Sequence, residues 1–103
     1  MVEIAFAELR GDVEVVADQA RLAGRCYAGV VHVGDVFTAV EQPDGTGHEV
    51  SLRVQRIDFY GRDVPEISYG ETAVLTVTGD GADRIVHRSI LRGDAEPGDG
   101  RDR

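Results

Sequence analysis

Lysine is absent. All eleven cations are arginine, and against 19 Asp and Glu they leave the 103 residues with a formal charge of −8. A chain without lysine has no G-x-x-x-x-G-K-S/T loop to cradle phosphates, which removes nucleoside triphosphates from its expected partners. Its surplus of acid disfavours a grip on nucleic acid by bulk electrostatics. A single cysteine excludes an internal disulfide framework and any multi-cysteine zinc or iron–sulfur site. No apolar run approaches the ~20 residues that cross a bilayer, and Met1 is not followed by a basic and then an apolar stretch of signal-peptide type. The expected setting is cytoplasmic, with no membrane partner.

What the chain has is glycine, 13 of them, with only three prolines. Between the glycines lie short runs rich in Val, Ile and Thr, which suit a pleated, half-buried surface. In Thr72–Thr78, residues Ala73, Leu75 and Val77 share one face. In Val50–Val54, residues Val50, Leu52 and Val54 oppose Ser51 and Arg53, and in Val36–Val40, residues Val36, Thr38 and Val40 oppose Phe37 and Ala39. Period-two alternation predicts strands with one face inward. After Val54 the next apolar residue is Ile57, which places a β-bulge near Gln55–Arg56. Gly34-Asp35, Asp44-Gly45, Gly61-Arg62 and Gly79-Asp80-Gly81 supply turns. Many short strands of this kind predict an all-β fold, a small barrel or sandwich.

Glu14–Ala23 is also compatible with a helix, with Asp12 as N-cap and Gly24 just beyond the end. Residues 94–103 hold one alanine and no other apolar side chain, so the expected organisation is a single domain over 1–93 followed by a disordered acidic, glycine-rich tail over 94–103.

The run Ala23-Gly24-Arg25-Cys26-Tyr27-Ala28-Gly29-Val30-Val31-His32-Val33-Gly34-Asp35 resembles the second-domain β-barrel of translational GTPases of the elongation factor Tu type. That family carries T/A-G-R-V, a short gap, then G-x-V/I-x-x-G-D/E. The resemblance extends from Phe6 to Leu91, through Asp12-Val13, Val54-x-x-Ile57, Tyr69-Gly70-Glu71 with Val74-Leu75, and Arg84-Ile85 with Ile90-Leu91. It implies a barrel of about six antiparallel strands, a strand in place of the helix at Val13–Val16, and an interior filled by Leu22, Cys26, Val36, Val40, Val54, Leu75 and Val77. Two departures stand out. Ala17-Asp18-Gln19 replaces a glycine-rich hairpin, and His87-Arg88 replaces an Arg-Gly pair, implying different backbones at both places.

The resemblance also points to a site. The family's V-E-M-F-R segment, which helps hold the aminoacyl end of tRNA, matches Ile57-Asp58-Phe59-Tyr60 followed by Gly61-Arg62. Asp58 would accept hydrogen bonds from a ribose or base, Phe59 or Tyr60 would stack, and Arg62 would meet phosphate. The plainer reading has Phe59 packed on the barrel, Tyr60 capping an edge, and Asp58 and Arg62 in solvent. A nucleophilic thiol needs an electropositive neighbourhood and a positioned base; strand parity, and a place where the family usually has valine, put Cys26 inside the core as a structural residue instead. His32, His48 and His87 have no metal-ligand spacing, so neither a metal nor another cofactor is expected. Arginines Arg53, Arg56, Arg62, Arg84, Arg88 and Arg92 crowd the second half, and acids Glu3, Glu8, Asp12, Glu14 and Asp18 the first. If the halves form different faces the barrel is electrically polar; otherwise the surface is a solvated mixture. The expected role is non-catalytic: a binding or adaptor module for another protein or a second copy. The rival is a translation-related binder of RNA 3′ ends.

Overall fold

Leu22, Leu52, Ile57, Leu75 and Leu91 are all fully removed from solvent, and the alternation that puts them on one face of their strands requires that face to be covered, by a second sheet or by closure of the sheet on itself. A computed structural model of the chain describes residues 2–9 and 13–95. Its strands are β1 (Val2–Glu8), β2 (Glu14–Val16), β3 (Gln19–Ala28), β4 (Val30–His32), β5 (Val36–Glu41), β6 (Gly47–Phe59), β7 (Arg62–Asp63), β8 (Glu66–Ser68), β9 (Thr72–Asp80) and β10 (Ile90–Ala95), with one 3₁₀ turn at Ala82–Arg84. The main sheet runs β1-β10-β5-β6-β9-β3, and a β1–β3 pairing closes it into an antiparallel barrel of six strands. Closure removes free sheet edges and leaves an interior just wide enough for side chains.

β2 extends β3 as a tight hairpin, Val16 facing Gln19, so Glu14–Ala23 is two strands and not a helix. The hairpin lacks glycine yet still uses a left-handed residue, Ala17 at φ 56°. β4 and β8 form a separate pair whose Val31 and Ile67 are buried in the core.

Bulges set which side chains turn inward. On β6 the register shifts between Val54 and Arg56, so Val54 and Ile57 both reach the core, at the place the broken alternation predicts. β5 departs from expectation. Its pairing with β10 steps from Ala39 opposite Arg92 to Phe37 opposite Gly93, making Thr38 an extra residue. Phe37 and Val40 are therefore both fully buried, and Val36, expected inside, is only half-buried. The bulge changes the parity of the strand.

Close strand approach explains two glycines. A Cβ at Gly24 would meet the backbone oxygen of Ala7 on β1, and one at Gly79, where φ is 135°, would meet that of Ser51 on β6. Near the end, His87-Arg88 stands in a turn. Arg88 holds φ at 70°, the left-handed conformation that glycine adopts freely and an arginine only with strain. At the C-terminal end, Asp94 and Ala95 pair with Glu3 and Val2 and so belong to β10. The remainder of the expected tail, 96–103, lies outside the described residues.

Candidate functional site

The sequence-predicted residues meet at the β6–β7 hairpin. Phe59 faces Arg62 across the pair, and the link is Tyr60-Gly61, with φ of 54° and 81°. Two successive positive φ values define the mirror-image turn that matches strand twist. Asp58 Oδ1 accepts the Gly61 N–H at 2.9 Å, so its carboxylate braces the turn. Phe59 packs against the core and meets the Tyr60 ring edge-on, centroids 4.6 Å apart. Tyr60 itself is 81 % exposed. Across the same hairpin, Arg56 Nε on β6 donates to Asp63 Oδ1 on β7 at 2.6 Å.

Asp58, Tyr60 and Gly61 border a shallow hollow of about 260 Å³ with Ala23, Thr72, Ala73 and Val74. Of the predicted residues, the fold thus gathers Asp58 and Tyr60 around one depression. Phe59 turns inward, and Arg62 stands exposed outside the residues lining it.

Other candidates resolve into structural roles. Burial pushes the Cys26 thiol above its ordinary pKa, and the sulfur points at the carbonyls of Ala28 and Gly29. His32 lies between two carboxylates, Nδ1 3.4 Å from Asp35 Oδ2 and Nε2 3.1 Å from Glu66 Oε1. His87 Nδ1 is 2.9 Å from Glu8 Oε1. Among the described residues no group of three or more His, Cys, Asp or Glu is placed to hold a metal. None of their helices is long and apolar enough to cross a membrane. At β10 the charges are mixed and not segregated, because β10 lies between β1 and β5. Arg92 consequently bridges Glu3 at 3.1 Å and Glu41 at 3.2 Å.

Two turns share a device that sequence reading placed but did not explain. At His32–Asp35, Asp35 Oδ2 reaches back to the His32 N–H at 2.8 Å. At Ser68–Glu71, Glu71 Oε1 reaches back to the Ser68 N–H at 2.6 Å. In each, glycine at the third position has positive φ, 99° at Gly34 and 88° at Gly70. The Gly-Asp and Gly-Glu pairs therefore end β4 and β8 by one mechanism: the acid satisfies the N–H of the residue opening the turn.

No protein-family model and no curated protein matches the chain by sequence. Comparison of folds does find similar structures. Two crystal structures of translation elongation factor SelB from Methanococcus maripaludis, one the apo form and one in complex with the GTP analogue GppNHp, each superpose on 90 % of this chain with a TM-score of 0.66 and 20 % identity. The fold is a translation-factor barrel. The chain spans 19 % of the length of SelB, so the likeness concerns one barrel of that larger protein. The ordered series of glycines and apolar residues from Phe6 to Leu91 had implied such a barrel. The translation-factor-like barrel resembles these structures through backbone geometry far more than through side-chain identity.

Proposed function

We propose that this translation-factor-like barrel is a non-catalytic binding module that docks on another protein or on a second copy of itself. The observation carrying the reading is the interior. The inward side chains, including Phe6, Phe37, Leu22, Leu52, Ile57 and Leu75, are apolar and fully buried, so any function is exerted from the outer surface. There the β6–β7 turn presents Tyr60 on a braced backbone, and a rigid, exposed aromatic is a common anchor in protein interfaces. Replacing Tyr60 by a photo-crosslinking phenylalanine analogue in the native host tests this. Protein or self adducts from position 60, absent when the analogue sits at Thr46, are expected. Their absence from both positions would refute the reading.

A second reading, binding of an RNA 3′ end, is favoured by the likeness to a translation elongation factor together with the hollow beside Asp58 and Tyr60. The charge of −8 weighs against it. Binding of tRNA at low salt that falls steeply with added salt and is lost in Tyr60→Ala would establish it. No binding at low salt would remove it.

A further inference from the structure

A larger depression lies on another part of the barrel, over β1. It encloses about 640 Å³, inside the roughly 300–1,000 Å³ typical of small-molecule sites. Its floor is made of small residues of β1 that lie off the core cluster yet are almost fully buried, Ala5 and Ala7, and of Ala28 on β3; Tyr27 stands on one side and Ile90 on the other. The alanines are the reason for the trough. Ala5 lies between Ala28 on β3 and Arg92 on β10, and Ala7 between Arg25 and Ile90, so the long side chains stand around a run of methyl groups that leaves the gap unfilled.

The ends differ in charge. At one, Glu3 is taken up by Arg92. At the other, beside Leu9, the Glu8 carboxylate is buried beneath the surface and engaged by the Arg88 N–H at 2.8 Å and by His87. The Arg88 side chain also lines the trough. Among the described residues its guanidinium has no hydrogen bond or ion pair. Arg88 is moreover at φ 70°, where glycine would form the same turn and offer the same N–H to Glu8 without strain. The fold needs the backbone of residue 88 in this conformation; it does not need the guanidinium. Strain retained at the rim of a cavity points to a use for the side chain.

We propose that the β1 trough binds an amphipathic organic carboxylate, its anionic head on Arg88 and its apolar body along Ala7 and Ala5 between Tyr27 and Ile90. A guanidinium pairs bidentately with a carboxylate, and the alanine floor admits a slender aliphatic chain. This proposal is independent of the Tyr60 turn.

The test is a titration of the ¹⁵N-labelled full chain with sodium decanoate, followed by NMR, with decanol as the uncharged control. Decanoate is expected to shift the amides of Ala5, Ala7, Ala28 and Ile90. Arg88→Gly suits the backbone, so its melting temperature is expected to equal or exceed that of the parent. Its decanoate affinity is expected to fall about tenfold or more, the loss of one charge-assisted contact, with decanol binding unchanged. Arg88→Asn, also at ease at positive φ, is expected to behave alike. Equal decanoate affinity in parent and Arg88→Gly, or shifts confined to other parts of the barrel, would overturn the proposal.

Discussion

The buried carboxylate of Glu8 holds the backbone N–H of Arg88, 80 positions later in the chain, at 2.8 Å. The backbone N–H of Glu8 donates to the Ser89 carbonyl at 2.9 Å. Together these tie the end of β1 to the loop entering β10 and keep Arg88 in its left-handed conformation. Glu8→Ala strands the Arg88 N–H and leaves a void. The expected cost is about 2–4 kcal/mol in a urea melt. Glu8→Gln retains an acceptor and should cost less.

At the β6–β7 hairpin, Asp58→Ala removes the acceptor of the Gly61 N–H and should destabilise by about 1 kcal/mol. Tyr60→Asn supplies a residue suited to φ 54° but gives up the contact with Phe59. These effects oppose each other, so stability should stay within about 0.5 kcal/mol of the parent. A change of binding in this variant would then report the lost ring and not a damaged fold.

Two glycines should respond very differently to the same substitution. Gly79→Ala places a methyl against the Ser51 carbonyl at φ 135°, and the loss should reach about 3 kcal/mol or more. Gly47 has open space around it, so Gly47→Ala should stay within about 0.5 kcal/mol. Chemical denaturation of the pair checks this directly.

Burial raises the Cys26 thiol pKa and closes off the sulfur. A disulfide reagent at about pH 8 should therefore modify it only as fast as the barrel unfolds. Cys26→Val, close in size, should change stability by less than about 1.5 kcal/mol. Rapid labelling of the native protein would contradict the buried position.

Asp44 Oδ1 accepts the Thr46 N–H at 2.9 Å, and this bond holds its carboxyl below the ordinary pKa. A pKa depressed by folding contributes stability above the unfolded value and loses it as pH falls through the folded value. The gap in melting temperature between the parent and Asp44→Ala should therefore shrink from about pH 6 to about pH 3.

Sequence alone determined the cleanly alternating strands, because a period-two run such as Ala73-Leu75-Val77 gathers its apolar side chains on one face only when extended; at Glu14–Ala23, where helix formers mix with strand formers, it left helix and strand both open, and pairing with β9 and β1 decided for strands. It also determined the bulge after Val54, since one inserted residue leaves a visible break in the alternation. The bulge at Thr38 left no such break. Val36 and Phe37 are both apolar, so either parity satisfied the pattern, and only pairing with β10 chose Phe37. The hairpin at Asp58–Arg62 could be located from its glycine, but the inward turn of Phe59 depends on the core it meets. Least visible of all were the Glu8–Arg88 link and the β1 trough. Each joins residues from opposite ends of the chain, brought together by the β1–β10 pairing, and local periodicity carries no information about which distant strand becomes a neighbour.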